Sequence, residues 1–145
     1  MKAIICQKPG IFEEIEQQDP TPSKGETIVR IKKIGICGTD YHAFKGQQPF
    51  FSYPRILGHE LAAEVVQSNE GFVSGQAVAP IPYLNCGKCK TCLSGKTNCC
   101  QNIKTMGVHV DGGMREFTSI PSSNLVSAEG LTDEQIATVE CLAIG

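Results

Sequence analysis

The sequence predicts a mainly β domain, a partly open β-barrel that carries short helices and a separate cysteine-rich lobe. Short apolar segments with alternating or β-branched residues recur along the chain, and turns containing proline or glycine separate them. Few segments show a helical period. Residues 85–102 are rich in cysteine, glycine, lysine and asparagine and have almost nothing to bury, so another interaction must hold them. With 145 residues, the chain has about the length of one domain.

Most of the predicted elements are strands. A turn rich in proline is expected at 19–25, a short helix at 38–44 and a loop with several aromatic residues at 47–53. The six expected strands lie at 2–6, 11–17, 27–36, 61–67, 76–81 and 113–120. No internal repeat is evident, so a single barrel accounts for the pattern.

A second helix is predicted to begin after Thr132 and to run to the end of the chain. Thr132 as N-cap and Gln135 three residues later fit a capping box. Asp133 and Glu134 lie in the first turn, where the helix dipole favours negative charge. This helix would carry Ile136, Val139 and Glu140.

Composition and charge exclude several classes of function. Apolar residues make up 41% and charged residues 19%, which is typical of a globular protein rather than a disordered one. The net charge of −2 gives no electrostatic support for binding nucleic acid or an anionic membrane. The apolar start of the chain is ended by Pro9 and Gly10 before a signal-peptide core could form, and no apolar stretch is long enough to span a bilayer. We therefore expect a soluble cytoplasmic protein.

Five of the eight cysteines lie between positions 86 and 100. The spacing Cys86-x2-Cys89-x2-Cys92-x7-Cys100 places four thiols on one short segment, enough to surround a tetrahedral zinc ion and leave no open position. Such a site would be structural. Disulfides, an iron–sulfur cluster and free thiols are the alternatives, and Cys99 could compete with Cys100 as the fourth ligand.

A second group of possible zinc ligands comprises Cys37, His59 and Glu60. Three protein ligands and one exchangeable position define a catalytic zinc site. Taken alone the group is weak evidence, because an isolated cysteine is more often a core residue and an isolated histidine more often a hydrogen-bonded polar group.

Together the motifs resemble the zinc-dependent medium-chain dehydrogenase/reductase family, which includes the alcohol and polyol dehydrogenases. The resemblance covers essentially the whole chain and implies a GroES-like barrel. The loop Q-Q-P-F-F-S-Y-P-R at 47–55 is similar to bacterial sugar-acid oxidoreductases of the L-galactonate type. The other matching segments are G-I-C-G-T-D-Y-H at 35–42, L-G-H-E at 57–60, the cysteine spacing, D-G-G-M-R-E-F at 111–117 and V-E-C-L-A-I-G at 139–145.

The resemblance implies roles for individual residues. Cys37 and His59 would bind a catalytic zinc directly, and Glu60 would be a ligand or near-ligand that exchanges with water or substrate. Glu140 would be the acidic ligand of the polyol branch, although Cys141 stands where that branch usually has proline and could bind instead.

The same resemblance assigns the surrounding residues. Asp40 would fix the tautomer of His59, as metal-bound histidines commonly require. Thr39 and His42 would form a proton relay. The structural zinc would take Cys86, Cys89, Cys92 and Cys100 as ligands.

The activity implied is oxidation of a secondary hydroxyl group of a sugar acid or polyol, with zinc as Lewis acid and hydride transfer to NAD(P). The 145 residues contain no G-x-G-x-x-G motif, so we expect residues 1–145 to be a catalytic domain that needs a separate dinucleotide-binding domain and is inactive alone. The full-length protein would be a homo-oligomer.

Two questions stay open at this point. A zinc-knuckle module that binds protein or nucleic acid would explain the cysteine-rich lobe and leave the second group without a role. Tyr41, Phe50 and Phe51 could line a substrate cleft, with Arg55 on a carboxylate, or could pack and pair locally; His109 is expected to be structural.

Overall fold

The structure, a computed structural model, describes residues 1–67 and 71–145. Within these residues, four short α-helices are α1 (Gly38–Phe44), α2 (Lys90–Leu93), α3 (Asp133–Ala137) and α4 (Val139–Ile144). The ten strands are β1 (Lys2–Lys8), β2 (Ile11–Glu16), β3 (Glu26–Gly35), β4 (Arg55–Ile56), β5 (Glu60–Gln67), β6 (Ala77–Pro80), β7 (Tyr83–Leu84), β8 (Lys104–Thr105), β9 (Phe117–Pro121) and β10 (Leu125–Ser127). The expectation of a mainly β domain is confirmed.

Five strands form one antiparallel sheet in the order β10-β6-β5-β3-β9, and β2-β1-β4 form a second sheet. Strands β7 and β8 pair separately at the base of the cysteine-rich lobe. Strand β3 is the longest and pairs with both β5 and β9, with register shifts at Ile28/Val29 and Ile31/Lys33. Such irregularities bend a strand and increase its twist, so the sheet curls into a half-barrel.

The central strand β5 explains why its sequence is apolar almost throughout. Leu61, Ala63 and Val65 point to one face and belong to the main core cluster. Ala62 points to the other face, where it is buried under Ile136 of helix α3. Because successive side chains alternate between the faces of a strand, a strand covered on both faces carries a continuous apolar run.

Helix α3 begins as the sequence predicts. The Thr132 hydroxyl accepts from the Gln135 backbone N–H at 3.3 Å, and the Gln135 side-chain oxygen accepts from the Thr132 N–H at 2.9 Å. The helix is shorter than predicted, because it ends at Ala137 and α4 begins at Val139. Thr138 lies at the break, where its hydroxyl donates to the Gln135 carbonyl at 2.8 Å and competes with the regular backbone bonding.

Across 1–67 and 71–145, no helix has the length and apolar character needed to cross a membrane.

Candidate metal centres

The sulphur atoms of Cys86, Cys89, Cys92 and Cys100 converge within 4.8 Å of one another, and we call this group the sulphur cluster. The Cys89 sulphur lies 3.4 Å from that of Cys92 and 3.9 Å from that of Cys100. A regular tetrahedron with Zn–S bonds of about 2.3 Å has sulphur–sulphur edges of about 3.8 Å. A disulfide would need about 2.05 Å, and all four cysteines are free. The spacing fits a tetrahedral metal ion.

Backbone N–H groups point at these sulphurs, and the Thr91 hydroxyl lies 3.1 Å from the Cys89 sulphur. The amides of Cys86 and Asn102 donate to the Cys100 sulphur at 3.3 and 3.4 Å. A hydrogen bond with the Thr91 side chain and hydrogen bonds from nearby backbone amides lower the pKa of Cys89 to about 5. Burial and the neighbouring sulphurs raise the pKa of Cys92 to about 11, so a cation would relieve the crowding of negative charge.

Cys100 rather than Cys99 is the fourth member of the sulphur cluster. Cys100 is buried, whereas Cys99 is exposed and lies outside the group. The short 3-10 turn Thr97–Cys99 directs the two neighbouring side chains differently, with Cys100 at its end in extended conformation.

Cys37, His59 and Glu60 form a second group, the open cluster, whose ligand atoms also lie within 4.8 Å of one another. The topology brings them together. Gly35, the last residue of β3, stands opposite Glu60, the first residue of β5, in the antiparallel pairing. The chain that leaves β3 and the chain that enters β5 therefore share one sheet edge, where Cys37 precedes helix α1.

Asp40 is a buried residue that hydrogen-bonds both chain segments that carry the open cluster. It is 3% exposed, and its two carboxylate oxygens accept from the backbone N–H groups of Cys37, at 3.0 Å, and Gly58, at 3.1 Å. The His59 Nδ1 atom lies 3.8 Å from the Asp40 carboxylate and has no hydrogen-bond partner among the described residues. This arrangement directs Nδ1 towards Asp40 and leaves Nε2 for a metal ion.

The backbone that carries His59 is held on its other side by the D-G-G segment. The amides of Gly112 and Gly113 donate to the carbonyls of Ile56 and Gly58 at 2.7 and 2.8 Å. A Cβ atom on Gly112 would lie 2.3 Å from the Gly58 oxygen, so only glycine allows this approach. Gly58 itself has φ of +92°, a conformation that favours glycine.

The Glu60 carboxylate occupies the space that a side chain at Gly35 would fill. A Cβ atom on Gly35 would lie 2.3 Å from Glu60 Oε2 and 2.8 Å from Glu60 Cβ. The glycine in this motif therefore gives Glu60 room to turn into the open cluster.

Glu140 lies outside the open cluster. One of its carboxylate oxygens accepts a hydrogen bond of 2.7 Å from the Tyr83 hydroxyl. Burial, then the Glu140 carboxylate, then the charge of Cys37 raise the pKa of Tyr83 to about 12. Cys141, the alternative ligand, is exposed and its thiol donates to the Thr138 carbonyl at 3.1 Å.

Tyr83, the hydrogen-bond donor to Glu140, was not predicted from the sequence. A tyrosine three residues before the first lobe cysteine carries no motif of its own. Its position depends on the buried Asn124, whose side chain donates to the carbonyls of Ile81 and Tyr83 at 3.1 and 3.0 Å. Only the folded chain brings Asn124 to this point.

Thr39 and His42 both lie on helix α1, three residues apart and therefore on neighbouring parts of one helix face. Thr39 is half-buried beside Cys37, and His42 is exposed.

A cavity of about 830 Å³ lies on the side of the barrel next to the lobe. Tyr83 forms part of its wall. The other residues that border it include Ile81, Asn85, Thr97, Asn98, Thr105, Asn124 and Ile144.

Arg55 and the aromatic residues Phe51 and Tyr53 contact neighbouring residues. Arg55 pairs with Asp111 at 3.3 Å and donates to the Ser52 hydroxyl at 3.0 Å. Phe51 packs edge-on against Tyr53, with ring centroids 4.7 Å apart, whereas Phe50 is 75% exposed. His109 accepts from the Thr105 backbone N–H through Nδ1, at 3.1 Å.

Residues 23–130 match the family model described as the alcohol dehydrogenase GroES-like domain. The chain is 45% identical to the L-galactonate-5-dehydrogenase of Escherichia coli (strain K12), over 99% of the chain and 43% of that protein. It is 37% identical to the L-threonine 3-dehydrogenase of Pyrococcus horikoshii, over 86% of the chain and 38% of that protein. The chain thus spans less than half the length of these relatives.

Two solved dehydrogenase structures are also similar to this chain. An alcohol dehydrogenase from Escherichia coli CFT073 in complex with NADH is 38% identical, with a TM-score of 0.88 over 99% of this chain and 43% of that one. The galactitol-1-phosphate dehydrogenase of Escherichia coli is 28% identical, with a TM-score of 0.90 over the same shares. With a family model that matches most of the chain and relatives this similar, the chain belongs to the alcohol dehydrogenase family and contains its GroES-like domain.

Proposed function

We propose that residues 1–145 are the metal-binding catalytic domain of a zinc-dependent dehydrogenase. The whole enzyme would oxidise a secondary hydroxyl group of a sugar acid or polyol with NAD(P). The observation that carries the proposal is the open cluster of Cys37, His59 and Glu60, with Asp40 behind it.

The residues of the open cluster fit a zinc ion in three ways. Thiolate, imidazole and carboxylate are the ligand types that zinc takes in proteins. His59 has its Nδ1 atom directed at Asp40, and Gly35 makes room for the Glu60 carboxylate. Glu140 would be a further ligand once it leaves Tyr83. When bound, zinc would supply a Lewis acid that lowers the pKa of a substrate hydroxyl group.

The chain's own residues would then move the released proton to solvent. Thr39 stands beside Cys37 and is half-buried, and His42 is exposed on the same helix face. Histidine is the side chain best suited to exchange protons with water near neutral pH. We assign Thr39 to accept a hydrogen bond from the substrate hydroxyl group and to relay the proton towards the His42 imidazole, which would release a proton to solvent.

The sulphur cluster would hold a second, structural zinc. Its four thiols leave no position for a substrate, and the lobe at 85–102 has only Cys100 buried among its described residues. The metal would take the place of a hydrophobic core there.

NAD(P) would be bound outside these 145 residues. The sequence has no G-x-G-x-x-G motif, and the chain spans 43% of a relative solved in complex with NADH. We therefore propose that the chain binds metal but does not transfer hydride by itself. The whole protein would be a homo-oligomer, as the family resemblance implies.

The proposed substrate is a sugar acid of the L-galactonate type, because the L-galactonate-5-dehydrogenase is 45% identical over nearly all of the chain. Arg55 is already paired with Asp111, so recognition of the substrate carboxylate would rest on other residues.

Metal content tests the proposal. A zinc-reconstituted chain should contain about two equivalents, and Cys37→Ser should lose about one. A content of one equivalent, unchanged by Cys37→Ser, would instead favour a zinc-knuckle module. The whole enzyme should reduce NAD+ or NADP+ when L-galactonate is added, and no reduction with any sugar acid or polyol would refute the substrate class.

A further inference from the structure

His109 makes a contact that the proposed chemistry does not use. Its Nδ1 atom accepts a hydrogen bond of 3.1 Å from the Thr105 backbone N–H. The backbone N–H of His109 donates in return to the Thr105 carbonyl at 2.9 Å. A ring nitrogen that accepts in this way carries no proton, so the imidazole is neutral, with its proton on Nε2. We call residues 105–110 the histidine turn, because His109 closes it through both its ring and its backbone.

The histidine turn is anchored in the barrel. The Met106 side chain is 3% exposed and belongs to the main core cluster, and the Met106 N–H donates to the Pro82 carbonyl at 3.0 Å. Further along the turn, the Gly107 N–H donates to the Val110 carbonyl at 2.8 Å. The turn is therefore a defined structure that can hold what lies against it.

Gly107 lies directly against Gly58, the residue before His59. A Cβ atom on Gly107 would lie 3.0 Å from the Gly58 nitrogen and 3.2 Å from the Gly58 oxygen. Gly107 also has φ of +73°, a conformation that favours glycine. The two backbones are in contact with no side chain between them, so a displacement of the turn would reach the Gly58 peptide directly.

Gly58 is also held at both of its polar groups. Its N–H donates to the Asp40 carboxylate at 3.1 Å, and its carbonyl accepts from the Gly113 N–H at 2.8 Å. These two bonds and the histidine turn limit how the Gly58 backbone can move. Because Gly58 is joined covalently to His59, they also limit where the buried His59 imidazole can lie.

We propose that His109 is a positioning residue, which closes the histidine turn, holds Gly107 against Gly58 and so fixes the His59 imidazole in the open cluster. The inference rests on the proposed metal role of the open cluster. His109 itself contacts neither metal nor substrate in this role, because its effect passes through one acceptor atom, Nδ1.

Asparagine and glutamine variants of His109 isolate that acceptor atom. The Asn side-chain oxygen is as many bonds from the backbone as Nδ1, whereas the Gln oxygen is one bond further away. His109→Asn should therefore keep the bond to the Thr105 N–H, and His109→Gln should lose it. In amide hydrogen exchange, the Thr105 N–H of His109→Gln should exchange about twofold to tenfold faster, as expected for one lost hydrogen bond.

Two readouts at the open cluster then test positioning. The Gly58 N–H should also exchange about twofold to tenfold faster in His109→Gln, because the turn no longer confines it. For the second readout, the chain is loaded with zinc at the sulphur cluster and cobalt(II) is titrated into the open cluster. The visible absorption of cobalt reports the geometry of its ligands independently of catalysis. His109→Gln should bind this cobalt about twofold to tenfold more weakly, with an altered spectrum, and His109→Asn should match the unaltered chain.

Equal behaviour of His109→Asn and His109→Gln in all these measurements overturns the inference. Faster exchange at Thr105, with unchanged exchange at Gly58 and unchanged cobalt binding, also overturns it, because His109 would then close the turn and position nothing. A chain that takes up no second metal ion overturns the proposed function instead. The exchange rate of the Gly58 N–H is measured without metal, so the two failures are distinguishable.

Discussion

Replacing Asp40 with asparagine tests whether this buried carboxylate positions the open cluster. Its two oxygens accept from the N–H groups of Cys37 and Gly58, at 3.0 and 3.1 Å, and it is 3% exposed. Asparagine keeps one oxygen and presents an NH2 group in place of the other. Whichever way the amide turns, one backbone N–H faces another donor.

The free-energy cost of Asp40→Asn follows from the number of hydrogen bonds lost. A buried polar group left without its partner costs about 1–3 kcal/mol. At about 1.4 kcal/mol for each factor of ten, hydrogen exchange at one of the two amides should accelerate by about fivefold to a hundredfold. Cobalt affinity at the open cluster should fall by about tenfold to a hundredfold, because His59 loses the negative charge near Nδ1.

Amide hydrogen exchange followed by NMR measures the first effect residue by residue, and cobalt titration measures the second. Asp19→Asn is the matched control, since that side chain is 73% exposed and pairs with the N-terminal amine, away from the open cluster. If both amides in Asp40→Asn exchange at the original rate and cobalt affinity is unchanged, Asp40 does not position the site.

Three further outcomes follow from the geometry. Gly35→Ala should weaken cobalt binding at the open cluster by at least about tenfold, because the new Cβ would occupy the place of the Glu60 carboxylate; Gly38→Ala, which meets no atom within 4 Å, should not. Cys89→Ser should remove one zinc per chain and speed proteolysis within 85–102, whereas Cys99→Ser should do neither; equal digestion rates would contradict a structural metal. Lys33 lowers the pKa of Glu134 to about 2 from its ordinary 4.5, so the stability that this exposed pair adds is present above pH 4.5 and is lost as pH falls towards 2. In Glu134→Gln, the urea concentration at the midpoint of unfolding should therefore decrease less steeply than in the unaltered chain as the pH falls through this range.

Much of the fold could be predicted from the sequence because its signals are local. The helix Gly38–Phe44 matches its predicted bounds, and the capping box at Thr132 is present. The two-residue strands β4, β7 and β8 were not predicted, since two residues are too few to show a period. The break at Thr138 was missed for another reason: apolar spacing continues through it, so the sequence pattern does not show where the helix ends.

The candidate sites also differ in how far the sequence predicts them. All four members of the sulphur cluster come from one segment of fifteen residues, so their spacing predicted them, apart from the choice between Cys99 and Cys100. Cys37, His59 and Glu60 formed only a weak group by their ligand types until the family motifs supported it, because their proximity depends on the pairing of β3 with β5. Tyr83 could not be predicted, because its partner Glu140 is 57 residues away and lies on a different helix.

The two clusters also differ in what their assembly requires. The lobe offers four thiols on a short segment with little apolar surface, so a bound metal ion would contribute the order there, as in small zinc domains. The open cluster needs the barrel first: β3 and β5 must pair, Asp40 must bond both Cys37 and Gly58, and the D-G-G segment must close over residues 56–58. These contacts join protein groups to one another, so we expect the barrel to hold the open cluster in place without an ion. Removal of metal should consequently disorder the lobe while Cys37, His59 and Glu60 keep their arrangement, which is the behaviour expected of a site built to exchange ligands rather than to hold the fold together.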